Sequence, residues 1–134
     1  MKSKSFFWYD LETTGTHTTL DRAVQFAGVR TDENLEEIEE GYDLVCRPPL
    51  ERLPHPEAVA ITKFDYNEFL RNGLIESEFC RRISDELERH ETCVAGFNSI
   101  RFDDELIRQL FYRNFRDPYV REWKNGNSRW DLID

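Results

Sequence analysis

Residues 6–15 read Phe-Phe-Trp-Tyr-Asp-Leu-Glu-Thr-Thr-Gly, a run with few ways to fold. The aromatic opening predicts a buried strand, since bulky rings favour the extended state and roughly four to eight residues suffice. The strand ends in two carboxylates two residues apart. Side chains at that spacing share one face of a strand, so Asp10 and Glu12 are predicted to converge. Paired carboxylates repel unless positive charge lies between them, and a hard divalent cation held by oxygen ligands would supply it. Gly15 is expected to allow a tight turn and the close approach of a substrate. From this stretch alone, two solvated acids at a strand end remain an open alternative.

At 134 residues the chain has room for one domain and one core. Ten Phe, five Tyr and three Trp supply bulky core material, which excludes a disordered chain. No apolar run approaches the ~18 residues of a membrane span. Met1-Lys2-Ser3-Lys4 leads into a strand rather than a signal peptide, so a cytoplasmic protein that meets no membrane is expected. Cys46, Cys80 and Cys93 are odd in number and lack metal-ligand spacing, which predicts reduced core thiols.

The net charge of −9 is unevenly spread. Acids dominate residues 32–91, whereas residues 101–130 carry Arg101, Arg108, Arg113, Arg116, Arg121, Lys124 and Arg129. Phe102, Phe111, Tyr112, Phe115, Tyr119, Trp123 and Trp130 are interleaved with them. Arginine beside aromatics suits a single strand of nucleic acid, through phosphate contacts and base stacking. Helices with aromatic core positions and solvated arginines account for the same residues more simply.

Residues 16–21 are polar and turn-like, so His17 is expected on a loop near the carboxylates, within reach of a substrate. Ala23–Thr31 and Tyr42–Cys46 read as two further strands, joined by turns short enough to require an antiparallel meander. Pro48-Pro49 ends the third strand. A short helix is expected over 56–62 with Pro56 at its start, and another turn of helix over 66–73. A longer helix is predicted over 76–90, where Phe79, Ile83 and Leu87 recur every four residues. The apolar run Thr92–Phe97 suits a central strand, parallel to the first and reached by a right-handed crossover. A helix over 103–115 follows, with Leu106, Ile107, Leu110 and Phe111 as its stripe. Acids in its first turn, Asp103, Asp104 and Glu105, suit the helix dipole. Asn125-Gly126-Asn127 reads as a loop, and Ser128 opens a new element at which the chain stops.

Sites in open sheets collect outside the carboxyl ends of parallel strands, which would bring Asp103 up to Asp10 and Glu12. Three carboxylates at one spot suit two metal ions about 3.5–4 Å apart, in phosphodiester hydrolysis. At this point the sequence resembles a family. Asp10-Leu11-Glu12-Thr13-Thr14-Gly15 and Asn98-Ser99-Ile100-Arg101-Phe102-Asp103 resemble the first two motifs of the DEDD 3′-5′ exonucleases, which have the RNase H-like fold. Longer phrases, among them Arg101-Phe102-Asp103-Asp104-Glu105, Phe111-Tyr112-Arg113-Asn114-Phe115 and Asn127-Ser128-Arg129-Trp130-Asp131-Leu132, are similar to the bacterial exodeoxyribonuclease I family.

The resemblance implies an α/β fold, an RNase H-like mixed sheet with an antiparallel three-strand meander, parallel strands and flanking helices. It implies removal of nucleotides from the 3′ end of single-stranded DNA, in repair and recombination, with Mg2+ at a two-metal site and Mn2+ able to substitute. It also implies contact with single-stranded-DNA-binding protein in the full-length parent. Asp10, Glu12 and Asp103 would be catalytic metal ligands. Thr13, Thr14 and Gly15 would line the path of the terminal nucleotide, and Asn98 would support the site. Ile61 and Thr62 would pack near the terminal base, and Arg108 would be a weaker phosphate contact. Asp131 is read as structural.

Two departures stand out. Lys63-Phe64-Asp65-Tyr66 replaces the family's usual continuation after Ile61-Thr62, and Lys63 there could supply a phosphate contact. The family's third motif, a His followed by an Asp five residues later, has no counterpart, since His17, His55 and His90 all precede the second motif. Residues 1–134 are therefore expected to be the first portion of a nuclease domain, truncated before its last catalytic helix and inactive or impaired alone. Three other readings stay open: an RNA-directed relative, a non-catalytic module that binds single strands or a protein through residues 101–130, and a metal-site fold kept for structure only.

Overall fold

The computed structural model describes residues 4–50, 56, 65–96 and 102–132. Strand β1 (Ser5–Thr13) pairs antiparallel with β2 (Ala23–Thr31), which pairs antiparallel with β3 (Tyr42–Val45). Helices α1 (Tyr66–Asn72) and α2 (Glu76–Leu87) lead to β4 (Thr92–Gly96), which lies parallel to β1. Helix α3 (Asp104–Arg113) and two 3-10 turns, Val120–Glu122 and Lys124–Gly126, then lead to β5 (Ser128–Asp131), parallel to β4. The strand order β3-β2-β1-β4-β5 puts β1 at the centre of a mixed sheet.

The expected meander and the parallel β1–β4 pair both form, and the element that opens at Ser128 is a fifth strand. Several boundaries move, among them those of α3, which runs Asp104–Arg113 rather than over 103–115. Helix α2 stops at Leu87 rather than His90, and Glu91 takes a positive φ of 56° on the way into β4. Residues 124–126 form a 3-10 turn rather than an irregular loop, with Asn125 at φ 62° and Gly126 at φ 75°. Strand β3 ends at Val45, and Cys46 makes only an isolated bridge to Leu74. Of the short helix expected over 56–62, Pro56 is helical and exposed, and the remainder lies outside the described residues.

Alternation along β1 sorts its side chains. Phe7, Tyr9, Leu11 and Thr13 are buried on one face. Phe7, Tyr9 and Leu11 meet Phe79, Cys80, Ile83 and Leu87 of α2 and Leu106, Ile107, Leu110 and Phe111 of α3 in one core. Buried Arg30 ties the strand starts to the end of α2. Its guanidinium donates to Ser5 Oγ (2.8 Å), Thr92 Oγ1 (2.9 Å) and Glu86 O (2.8 Å), and lies over the Phe7 ring. The opposite face carries Phe6, Trp8, Asp10 and Glu12. Trp8 stands 5.7 Å from the Phe6 ring and 5.9 Å from that of Trp130 on β5.

Candidate active site

The site is built where β1 leaves the sheet. The β1–β2 register shifts between Glu12 and Thr13, and irregularities of this kind re-aim side chains at the ends of ladders. Asp10 is exposed and Glu12 half-buried, on the face away from the helices. Burial and then the Asp10 charge raise the pKa of Glu12.

Asp103 arrives from the other side of the sheet centre. It precedes α3 in helical conformation (φ −62°, ψ −40°), and its carboxylate makes no capping hydrogen bond. The helix-dipole role leaves that side chain unexplained. Asp103 is 5% exposed, and its pKa is pushed up to about 7, first by burial and then by Asp10, Asp104, Glu12 and Asp131. The three predicted carboxylates therefore lie within one another's field. They are not closed into ligand spacing: among the described residues, no group of three or more His, Cys, Asp or Glu side chains is positioned to hold a metal ion. The donors are all carboxylate oxygens, the ligand type of hard divalent cations. A buried acid loaded with negative neighbours is the kind of group a cation would relieve.

The loop beyond β1 is built tightly by its own side chains. Thr13 donates to the Gly15 carbonyl (2.7 Å) and buried Thr14 donates to Asp21 Oδ1 (3.0 Å). The Thr14 N–H donates to the Arg22 carbonyl, and the Arg22 N–H returns to Thr14 Oγ1, both at 3.0 Å. Asp21 Oδ2 also accepts from the His17 N–H (2.8 Å). Gly15 is required here by sterics. A Cβ at that position would stand 2.5 Å from Asp21 Oδ2. His17 is exposed on the loop, as expected, and its Nδ1 accepts from the N–H groups of Leu20 (3.1 Å) and Thr19 (3.3 Å). An accepting Nδ1 places the ring proton on Nε2.

Arg108 stands otherwise than a phosphate contact would. Its guanidinium donates to Glu122 (2.8 and 3.1 Å) and to Glu105, and lies 4.9 Å over the Tyr119 ring. A phosphate would have to displace two carboxylates. Other bases of residues 101–130 are similarly engaged: Arg113 with Glu76, Arg116 with Ser84, and Arg121 and Arg129 with Asp104. The arginines of this stretch are thus largely paired internally, whereas its aromatics are mostly exposed: Phe111 is buried, but Tyr112, Phe115, Tyr119, Trp123 and Trp130 face outward. Ile61, Thr62, Lys63 and Asn98 lie outside the described residues.

Three acids near the site were not legible as such. Asp21 reads as one more polar loop residue, yet it is the pivot of the loop. Asp104, read as a first-turn acid, is 1% exposed and bound by three donors. Asp131 is buried and adds to the field at Asp103. Its approach follows from the parallel register that sets it beside Gly96, at the end of β4. Two clefts, of about 290 Å³ beside β3 and about 130 Å³ beside the start of β1, are not lined by these acids.

Comparison with known proteins gives a family for the chain. A profile of the family described as exonuclease matches residues 7–134. Exodeoxyribonuclease I of Haemophilus influenzae is 48% identical over 134 residues, which is 100% of this chain and 28% of that protein. An oligoribonuclease of Xanthomonas euvesicatoria is 32% identical over 101 residues, 75% of this chain and 46% of that protein. The solved structure of Escherichia coli Exonuclease I in complex with a dT13 oligonucleotide superposes with a TM-score of 0.95 at 45% identity, covering 98% of this chain and 28% of that one. The chain thus spans under a third of the length of the exodeoxyribonuclease I relatives it matches. Its sheet order, its helices and this superposition identify an RNase H-like α/β fold, and by both sequence and fold the chain belongs to the exonuclease family.

Proposed function

We propose that this chain carries the metal-binding carboxylates of a 3′-5′ exonuclease that degrades single-stranded DNA in repair and recombination. The observation that carries the reading is Asp103: buried, uncapped, and loaded by the charges of Asp10 and Glu12. In this reading Asp10, Glu12 and Asp103 hold Mg2+, with Mn2+ as a substitute. Held by these carboxylates, the ions would supply Lewis-acid activation of a water and charge stabilisation at the leaving alkoxide in phosphodiester hydrolysis. Thr13, Thr14 and Gly15 present the backbone of a rigid loop to the last phosphate. The His17 ring, oriented by its Nδ1 bonds, offers Nε2–H to the same end of the strand.

Solved relatives support the substrate and the partner. Structures of Exonuclease I exist with a dT13 oligonucleotide, as a zinc-bound single-stranded DNA complex, and with the C-terminal peptide of single-stranded-DNA-binding protein. DNA is favoured over RNA because identity to exodeoxyribonuclease I is higher and covers the whole chain, whereas the oligoribonuclease match is lower and shorter. A non-catalytic module binding through residues 101–130 is disfavoured by the pairing of arginines there. Cytoplasmic residence suits a DNA exonuclease, and among the described residues no helix is long and apolar enough to cross a membrane.

No His follows residue 90, so a general base has no evident source after the second motif. Loss of such a base typically costs about 10²–10⁴-fold, and the chain alone is expected to be inactive or strongly impaired. The test is release of nucleotides from 3′-labelled single-stranded DNA with Mg2+ or Mn2+. It compares this chain, the longer protein including downstream sequence, and Asp10→Ala in each. Release by the longer protein alone, lost in its variant, is the expected result. Release by the 134-residue chain would overturn the inactivity. Release indifferent to Asp10 would overturn the site.

A further inference from the structure

Asp104 is the least explained charged group near the site. It is buried, and its oxygens are divided among three elements. Oδ1 accepts from the Tyr9 hydroxyl of β1 (2.9 Å) and from Arg121 Nη2 of the first 3-10 turn (3.0 Å). Oδ2 accepts from Arg129 Nη1 of β5 (2.6 Å). Tyr9 immediately precedes Asp10, Asp104 immediately follows Asp103, and Arg129 lies two residues before Asp131. One carboxylate therefore ties together the backbone segments that carry the acids of the site.

We propose that Asp104 is a positioning residue, which sets the distance from Asp103 to Asp10 and Glu12 through its bonds to Tyr9, Arg121 and Arg129. It thereby tunes the affinity of the site for a divalent cation. This rests on the reading of Asp10, Glu12 and Asp103 as the cation's ligands. Stability alone is a poor account of the network. Buried ion pairs are often replaceable by apolar pairs without loss, and here Arg121 keeps Nε and Nη1 buried without hydrogen-bond partners. What the network supplies is direction. The apolar contacts of Leu106, Ile107, Leu110 and Phe111 hold α3 on the sheet but tolerate small slides, whereas hydrogen bonds to a fixed carboxylate do not.

The test is titration of this chain with Mn2+, with free Mn2+ read by electron paramagnetic resonance and thermal midpoints measured alongside. Asp103→Asn should abolish the binding. Tyr9→Phe, which changes no charge, should weaken it several-fold. The pair Asp104→Leu with Arg121→Met removes one charge of each sign, so the net charge near the cation is kept. It should melt near the wild-type temperature yet bind Mn2+ about tenfold or more weakly, the loss typical when an orienting partner is removed. Binding by Tyr9→Phe and the pair within twofold of wild type, with Asp103→Asn defective, would overturn the positioning role and leave the site reading standing. Wild-type binding by Asp103→Asn, or none by the unaltered chain, would overturn the site reading and this inference with it. If the pair fails to fold, Tyr9→Phe decides alone.

Discussion

Asp103 pays for its place in the fold, since a carboxylate that is 5% exposed among other acids is destabilising when ionised. Asp103→Asn should therefore raise the thermal midpoint in chelator, by a stabilisation of about 1–3 kcal/mol. Added Mg2+ should raise the midpoint of the wild type and leave the variant unmoved. Differential scanning calorimetry with and without Mg2+ reads both, and a variant that melts lower than wild type in chelator would contradict the unrelieved charge. Gly15 answers to a different force. A methyl group there runs into the Asp21 carboxylate that closes the loop, so Gly15→Ala should cost about 1–3 kcal/mol in urea unfolding through overpacking. The reading of Gly15 as room for substrate is joined by a requirement within the chain. Only the folded loop could reveal it, because Asp21 lies six residues away with nothing in its surroundings to mark it.

At the scale of elements, Glu76 joins α2 to the end of α3 and the start of β2. Its carboxylate accepts from Arg22 (3.2 Å), from Arg113 (3.2 and 3.1 Å) and from Asn114 (3.1 Å). Burial alone would raise its pKa, but the hydrogen bonds and charges of Arg113 and Arg22 outweigh that, and the net shift is downward. A carboxylate depressed in the folded state contributes stability that is present above its unfolded value near 4.5 and is lost as pH falls through the folded value. Glu76→Gln should thus cost about 1–3 kcal/mol at pH 7. The gap to wild type should close as the solution is acidified below pH 4.5. Urea midpoints across that range measure it, and a gap independent of pH would show that packing rather than charge is at work. The arginines of residues 101–130 belong to this scale too. Their spacing suggested a nucleic-acid surface, but pairing with Glu76, Glu122 and Asp104 is a tertiary event that spacing along the chain does not encode.

The whole molecule is a sheet with helices α2 and α3 on one face, and with Phe6, Trp8 and Trp130 half-buried to exposed on the other. The three thiols report this asymmetry. All are free, but Cys46 and Cys80 lie in the helix-side core, where burial pushes their pKa values up to about 12 and about 11. Cys93 pairs in register with Phe6 and is only partly buried. Brief treatment of the native protein with iodoacetamide at neutral pH should label Cys93 first and leave the other two until unfolding, as read by peptide mass spectrometry. Equal labelling of all three would mean that the core opens as readily as the partly buried face that carries Cys93. The expectation of core thiols was sound for Cys46 and Cys80. Cys93 sits in an apolar run that reads the same whichever side of a sheet is covered.

Local pattern carried the order of elements, the antiparallel meander, the parallel return of β4 and the shared face of Asp10 and Glu12, because strand alternation and helical periodicity are short-range properties of the chain. Strand order likewise pointed Asp103 toward Asp10 and Glu12, whereas the pivots Asp21 and Asp104 and the engagement of Arg108 with Glu122 were decided only when distant segments met. Each depends on a partner that sequence spacing does not name.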